Sequence, residues 1–545
     1  MHQLPASAGP SPASRRSAGW ARDRLRAGWP GPLRLPLPLV IILLVAAALR
    51  LLYIGAPLLD AHRWRQVDTA QMARFMYEDG FNLLWPQVNW GGPRGYVESE
   101  FPLLPALTAV LYHVLGPDEM WGRLIVVAFS LGIVGLVYVL GREVLGRSAG
   151  LAAAALVAVS PAAVFYGRAV MPDTLMVFFS IAAIVGMYRH LETGSRWWLV
   201  ICGASFGLAV LVKLPGVIVA APLAALLWTH RRVPAARRPQ VLAALAVPLL
   251  VAAAWYWHAF GIYRDTGLTF GVFGTTKTYP REVADAVWTE AFPKWSTREL
   301  LTTRSFYQTM LSRLYFLHLT PPGFVLAAVG ALLWRRHAAR LLPDAWLAAM
   351  LAFLFAAGWG HMGHDYYQLP FVPICALYFA AAAWPVFDAG WIARALGPGR
   401  GWRLAMAGVL AGVALMGIWF SGVIERHFRP ASLDTRMLEA GTAIDRAVED
   451  GALLVVVDDY GVNSPMLLYL AHARGWSLSP ETVSAHIVRG LQARGARFFA
   501  TTRWSRVERA QPDLAQFLDS RRRVPLDAAP ADTALFDLLT PRREP

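Results

Sequence analysis

Cysteine is nearly absent from these 545 residues: Cys202 and Cys375 are the two, each inside an apolar run. A pair so placed excludes a disulfide framework and a cysteine metal cluster. Charge is scarce as well, at 16% of residues against 56% hydrophobic. Soluble domains carry about a quarter charged residues, so an ordinary globule is excluded and the chain reads as a polytopic α-helical membrane protein. Acidic residues are few beside the basic ones, 36 against 51, for a net charge of +15. A nucleic-acid partner would need that excess gathered in one stripe of a folded domain. It is spread instead over short loops between apolar runs, so no nucleic acid is expected.

What is present begins with residues 1–36, rich in Ala, Pro, Ser and Arg and without apolar period, which read as a disordered cytoplasmic tail. Its arginines precede a first apolar run at about 37–54 and place the N-terminus inside. No small-residue cleavage site follows that run, so an uncleaved start is expected rather than a signal peptide. Further apolar runs lie at about 121–142, 148–166, 170–190, 197–212, 215–229, 240–262, 321–335, 343–360, 366–387 and 403–422. The stretch 102–116 is read as a short helix lying at the membrane interface, with Pro102 and Pro105 at its start. That choice keeps the basic loops around Arg142, Arg147, Arg189, Arg231, Arg237, Arg335 and Arg394 on the inner side. The expected topology has about eleven spans in a transmembrane domain 37–424, outer loops at 55–120 and 264–320, and the C-terminus outside.

Residues 425–545 change character. LLVVVDD at 453–459 reads as a buried strand, SPMLLYLAHARG as a helix with a Gly stop, SAHIVRGLQARGARFFATT as a helix then a strand, and TALFDLL as a final strand. This alternation predicts a small extracytoplasmic α/β domain. It holds neither a glycine-rich phosphate loop nor a metal spacing, and no chemistry is assigned to Asp458 or Asp459.

The outer side receives the polar residues that carry chemistry. The segment after the first run holds Asp60, Arg63, Arg65, Asp68, Tyr96, Glu98 and Glu100 among tryptophans. Charges so close to lipid are expensive unless they face a cavity or one another, so they mark a site. Arg168 and Asp173 lie in one outer turn, Lys213 at the end of a span, and His361, His364, Asp365, Tyr366 and Tyr367 in another turn. Transfer of a group to a hydroxyl needs a base, because an alcohol is a weak nucleophile, and cations to take a leaving phosphate. Asp60 is the expected base; Arg168, Lys213 and the basic residues of the long outer loop, Lys277 to Arg313, are the expected phosphate ligands. Each has a plainer reading: Asp60 and Asp173 as helix caps, Lys213 snorkelling to head groups, the loop touching anionic lipid. His361, His364 and Asp365 stand at a loose metal spacing, for which a surface role is the simpler account.

The order of these pieces resembles the GT-C glycosyltransferases of the protein mannosyltransferase and aminoarabinose transferase type. The resemblance runs from Asp60 into HRWRQVDTAQMARFMYEDG, through GYVESEFPLLPAL, SPAAVFYGRAVMPDTLMVFF and GLAVLVKLPG, to YYQLPFVP, and covers about residues 50–390. It implies that Asp60 matches the family's outer-loop catalytic aspartate, Asp173 the acid after the GR pair and Lys213 the lysine of the GLxxLxK-type motif. Ala61 stands where many relatives have a second acid, and Glu100, Phe101 and a single Pro102 where many have Lys or His before two prolines. Glu98 and Glu100 are thus both candidates for the matching acid, and for ligands of a divalent metal ion.

The implied activity is inverting transfer of a sugar from a polyprenyl-phosphate carrier to a hydroxyl of a lipid, glycan or protein at the outer face of a cell membrane. Catalytic candidates are Asp60, Glu98, Glu100 and Asp173; substrate and phosphate candidates are Arg63, Arg65, Arg168, Lys213, Tyr96, His364, Tyr366 and Tyr367. The rival from another class is a transporter or flippase of lipid-linked sugars, which would favour charges near the membrane midplane.

Overall fold

The computed structural model describes residues 35–229, 238–273, 297–334, 341–388 and 432–542, with isolated positions such as His427 and Phe428 between them. The tail as far as residue 34, the loop residues Lys277, Arg281 and Lys294, and most of the expected span at 403–422 lie outside the described residues.

Among the described residues, four helices are long and apolar enough to cross a bilayer: Glu119–Leu145, Asp173–Thr193, Arg238–Thr266 and the run Asp365–Trp384. The pair Arg304–His318 and Pro321–Trp334, bent by 105°, would make a fifth. Six further apolar helices are shorter: Leu37–Arg50, Leu103–Leu115, Arg147–Val159, Arg196–Val212, Leu214–Thr229 and Leu341–Ala356. By length, the described helices therefore do not supply eleven full spans, because several expected runs are broken. The run at 148–166 stops at Val159, where Ser160 caps a new turn, its hydroxyl accepting from the Ala163 amide (3.3 Å) and donating to the His318 carbonyl (2.7 Å). The run at 170–190 starts only at Asp173, and that at 343–360 ends at Ala356.

Breaks leave carbonyls that must be satisfied in an apolar setting. Arg50, wholly buried at the end of the first helix, supplies one answer. Its guanidinium donates to Ser130 Oγ (2.7 Å), to its own Ala46 carbonyl (3.0 Å), and to the carbonyls of Ala158 (2.9 Å) and Val157 (3.3 Å) where the broken helix ends.

Leu103–Leu115 matches the expected short helix after Pro102. Thirteen residues rise about 20 Å, short of a hydrocarbon core of about 30 Å. Its small face, Ala106 and Ala109 with Tyr112, packs on Ala73 and Met76 of the polar helix Arg63–Glu78, while Leu107, Val110, Val114 and Leu115 stay exposed. Such one-sided burial suits a helix lying along an interface.

Residues beyond 432 build a five-stranded sheet in the order β2-β1-β3-β5-β4, with β1 Leu453–Val457, β2 Arg474–Leu478, β3 Ala496–Thr501, β4 Arg521–Arg523 and β5 Ala534–Pro541. β1 runs parallel to β2 and β3; β5 is antiparallel to β3 and β4. Val455, Val457, Phe499 and Phe536 face the helices Ala485–Gln492 and Pro512–Asp519, whereas Leu454, Val456, Phe498 and Leu535 join the core shared with the membrane helices. The strands at 453–457 and 496–501, the helix between them and the last strand fall where the sequence places them. The Gly stop does not: the helix Met466–Leu470 ends five residues early and Gly475 lies inside β2, at φ +154°. Its amide donates to the Asn89 carbonyl and its carbonyl accepts from the Gly92 amide, each at 2.8 Å, so the loop after Arg63–Glu78 adds itself to the sheet edge.

Candidate active site

The turn between the first helix and Arg63–Glu78 brings Asp60 to a buried junction, 3% exposed. Its Oδ1 accepts from Gln66 Nε2 at 2.5 Å; its Oδ2 accepts from Arg168 Nη2 and lies 3.4 Å from Arg123 Nη2. Arg123 also donates to the carbonyls of Ile54 (3.0 Å) and Pro57 (3.2 Å), and Arg168 to that of Tyr53 (2.8 Å), with its face 4.2 Å from the Phe428 ring. Burial pulls the Arg168 guanidinium down to about 10, and the Asp60 carboxylate opposes that pull. Asp60 is thus the counter-ion that gathers two arginines, a glutamine and the carbonyls of residues 53–57. Its Oδ1 keeps a second lone pair, so these contacts are compatible with the expected role of base. It is not a helix cap, since His62 holds that position.

A second cluster lies where three chain breaks meet. Lys213, in extended conformation between Arg196–Val212 and the turn Leu214–Val219, donates from Nζ to Asp173 Oδ1 at 2.7 Å. Both are buried, Lys213 at 4% and Asp173 at 1%, so the lysine does not snorkel. The ammonium also sits 4.7 Å and 4.9 Å from the ring centroids of Tyr366 and Tyr367, a cation–π arrangement. Arg65 pairs with Glu100 at 2.7 Å and stacks 4.8 Å over Phe270. Burial opposes ionisation of Glu100, but Arg65 and Lys213 outweigh it and hold its carboxyl below the usual range. Asp173 Oδ2 is buried without a hydrogen-bond partner. Two cations thus stand among aromatic rings, each paired with one carboxylate, and an ammonium and a guanidinium are the donor types that bind phosphate oxygens.

Glu98 is wholly buried, its Oε2 accepting from the Thr269 hydroxyl, its Oε1 unpartnered, and burial pushes it up to about 7. As metal ligands Glu98 and Glu100 fit poorly: one is tied to Thr269 and the other to Arg65, and among the described residues no three His, Cys, Asp or Glu side chains converge. The loose triad in the GHMGHDYY turn also disperses. His361 turns into Phe353 and Tyr367, whereas His364 stacks on Tyr366 at 5.0 Å, its imidazole lowered to about 4 by burial. No step is routed through a metal.

Of the other expected residues, Arg63 lies over Tyr460 of the C-terminal unit (5.4 Å) and Tyr96 over Trp85 (5.4 Å), both beside the cluster rather than in it. In the long loop, Arg298 and Arg304 are exposed and Arg313 donates to the carbonyls of His361 (2.6 Å) and Met362 (3.0 Å), so it holds a turn rather than an anion. Sequence reasoning missed Arg123, although it interrupts an apolar run, and the contact of His62 with Asp365, 303 positions apart: His62 Nε2 stands 2.7 Å from Asp365 Oδ1.

Comparison with known proteins agrees with the resemblance carried by the sequence. Residues 99–257 match the family model described as dolichyl-phosphate-mannose-protein mannosyltransferase. YycA of Bacillus subtilis (strain 168), a proposed mannosyltransferase, is 25% identical over 174 residues, 31% of this chain; the match spans a quarter of that protein's own length. Among solved structures, ArnT from Cupriavidus metallidurans in the apo state aligns over 92% of this chain and 99% of its own, with a TM-score of 0.62 at 15% identity. The same protein bound to undecaprenyl phosphate gives 0.61 at 14% identity, over 92% and 99%. The Archaeoglobus fulgidus oligosaccharyltransferase gives 0.55 at 16%, covering 91% of this chain and 75% of its own. At these identities the likeness is one of fold, which the chain shares with ArnT and the archaeal oligosaccharyltransferase.

Proposed function

We propose that this protein transfers a sugar from a polyprenyl-phosphate carrier to an acceptor hydroxyl at the outer face of the membrane. The observation that carries this reading is the gathering of Lys213 and Arg65, two largely buried cations, beside Tyr366, Tyr367 and Phe270. An ArnT of the same fold was solved with undecaprenyl phosphate, which supports a carrier of that class here.

The chemistry follows from the charges. As the bond from the anomeric carbon to the carrier phosphate breaks, its electron pair leaves on phosphate, and preformed cations stabilise that charge. The ammonium and guanidinium each exchange part of their carboxylate contact for phosphate oxygens, and Glu100 and Asp173 keep them extended meanwhile. One displacement, with the hydroxyl approaching opposite the phosphate, gives inversion. Burial raises the Glu98 carboxyl to about 7, which lessens its negative charge against the donor. With the N-terminus inside, the first loop, the Arg168 turn and the C-terminal sheet all lie on the outer side. The acceptor is a lipid, glycan or protein hydroxyl.

The test is sugar transfer by purified full-length protein in phospholipid vesicles from a panel of radiolabelled undecaprenyl-phosphate hexoses and pentoses, wild type against Lys213→Ala. Formation of a glycosidic product by the wild type, at least tenfold slower in the variant, is expected. Movement of donor across the bilayer with no new glycosidic bond would establish the transporter reading instead.

A further inference from the structure

We propose that the acceptor is a neutral oligosaccharide, and that a cleft between the helix Arg63–Glu78 and the C-terminal unit holds the part of it that does not react; this rests on the transfer reading above. The cleft measures about 430 Å³, inside the range of about 300–1,000 Å³ usual for ligand sites. One wall is set by helical spacing: Gln71, Arg74, Phe75 and Glu78 stand at i, i+3, i+4 and i+7 and share a face. Leu453, Leu468, Tyr469, His472 and Arg474 of the C-terminal unit make another, and Asn89 and Pro93 of the intervening loop complete the lining.

The charges of this lining cancel. Arg74 pairs with Glu78 at 2.6 Å, Arg474 pairs with Asp79, and His472 lies 3.1 Å from Asp445. Each cation already holds a carboxylate, so the cleft gives an anion no net attraction. What it offers is a balanced set of donors and acceptors beside the apolar side chains of Leu453, Leu468 and Phe75, a mixture that matches a ligand made of hydroxyls and C–H groups. Asn89 adds an acceptor in need of a donor. It is 1% exposed, its Nδ2 donates to the Pro465 carbonyl at 3.1 Å, and its Oδ1 has no hydrogen-bond partner among the described residues. A buried oxygen left unpaired costs free energy, and a hydroxyl seated in the cleft beside it supplies the donor. A peptide fits less well. Extended peptides bind by adding a strand to an open sheet edge, and the edge of β2 is already taken by the bonds of Gly475 to Asn89 and Gly92.

One side chain ties the cleft to the cations of the transfer site. Gln71 Oε1 accepts from the Asn89 amide at 3.0 Å and its Nε2 donates to Asp68 Oδ1 at 2.8 Å, while Asp68 is one helical turn from Arg65. The six residues from Arg65 to Gln71 correspond to about 9 Å of helix rise. A ligand confined to the cleft stays that far from Arg65, whereas a chain of sugars spans both places and brings its end hydroxyl to the donor. No bond forms or breaks in the cleft; it sets acceptor affinity and decides which hydroxyl arrives.

The experiment uses the full-length protein in phospholipid vesicles and a panel of neutral oligosaccharides from trisaccharides to hexasaccharides, with a panel of extended peptides beside it. The wild type should bind at least one of the oligosaccharides, with affinity unchanged within twofold between low and high salt. Arg74→Ala with Glu78→Ala removes a partly exposed pair together, so that neither charge is left alone. This double variant should bind the same oligosaccharide at least tenfold more weakly and undecaprenyl phosphate within twofold of wild type. Arg74→Gln with Glu78→Gln keeps hydrogen-bonding groups without charge and should regain most of the loss. With that oligosaccharide as acceptor, the alanine variant should raise the acceptor KM at least tenfold and leave kcat within threefold. No oligosaccharide bound by the wild type, equal binding by the alanine variant, or binding of peptides in their place overturns the assignment, while sugar transfer by the wild type to another acceptor still stands. Oligosaccharide binding that the alanine variant loses, with no transfer from any donor, sustains the cleft as a glycan site and overturns the transfer reading alone.

Discussion

Asp173 accepts the Lys213 ammonium at 2.7 Å, and that one contact ties the first turn of the helix Asp173–Thr193 to the break after Arg196–Val212. The pair is a structural joint and, on the proposed function, the holder of a phosphate ligand. Removing one partner of a buried pair leaves an uncompensated charge, which costs about 3–5 kcal/mol. Lys213→Met and Asp173→Asn should each lower unfolding stability in detergent by that order. The double variant Lys213→Met, Asp173→Leu should recover much of the stability and none of the sugar transfer, a separation that comparing melting with transfer would reveal.

Asp60 makes a sharper case, because its two proposed roles predict opposite behaviour. A base waiting for substrate can be neutralised with little effect on the empty protein. A counter-ion between Arg123 and Arg168 cannot, since both guanidiniums are buried and lose their charge partner. Asp60→Asn should therefore melt lower than wild type in the absence of any donor, by the equivalent of about 3 kcal/mol or more. Unchanged melting together with abolished transfer would mean that Asp60 serves as the base and not as a structural counter-ion.

These contacts also explain how much was legible in the sequence. Lys213, Asp173, Arg65 and Glu100 stand out because each interrupts or borders an apolar run, and burying a charge in that setting is costly enough to imply a partner. The identity of the partner is another matter. Glu100 and Arg65 are 35 positions apart and Lys213 and Asp173 40, whereas His62 and Asp365 are separated by 303, a distance that no local period encodes. Arg123 interrupts the apolar run at 121–142 in the same way and carried the same signal, whereas Ser160 has none, because a single hydroxyl decides where a helix breaks. In the C-terminal unit, strands with continuous Val and Leu were plain, but Gly475 reads as a helix stop by local chemistry and is used instead for a backbone contact with the loop Asn89–Gly95.

Two buried carboxyls make stability depend on pH in the direction opposite to an ordinary surface acid. Asp68, 2% exposed, accepts from Trp90 Nε1 (3.0 Å) and Gln71 Nε2 (2.8 Å), and burial still pushes it up to about 7; Glu98 is pushed to about 7 likewise. Between the ordinary carboxyl range near 4 and these raised values, the folded protein holds more protons than the unfolded chain. Stability should then fall as pH rises from about 4 to 7 and level off above. Asp68→Asn keeps the amide donors close but cannot ionise. Its melting temperature relative to wild type should rise across that window, and a flat difference would remove the assignment.

The join between the loop Asn89–Gly95 and the sheet edge rests on a residue without a side chain. Gly475 lies at φ +154°, where other residues are strained, and a Cβ built there would fall on the Leu454 carbonyl of the neighbouring strand. Its two 2.8 Å backbone bonds to Asn89 and Gly92 run alongside the Arg474 contacts with Asp79 and with the Phe75 ring, 4.0 Å away. Gly475→Val must push β2 away from β1 or from the loop, and overpacking of this kind costs about 1–3 kcal/mol. The loop Asn89–Gly95 leads straight into Glu98 and Glu100, so loosening its far end should let Arg65 lose its partner. The variant is expected to be cut faster by protease between residues 79 and 95 and to transfer sugar more slowly, with kcat lowered more than carrier affinity. A rigid loop with normal protease resistance would mean that the sheet merely rests against the site rather than holding it in shape.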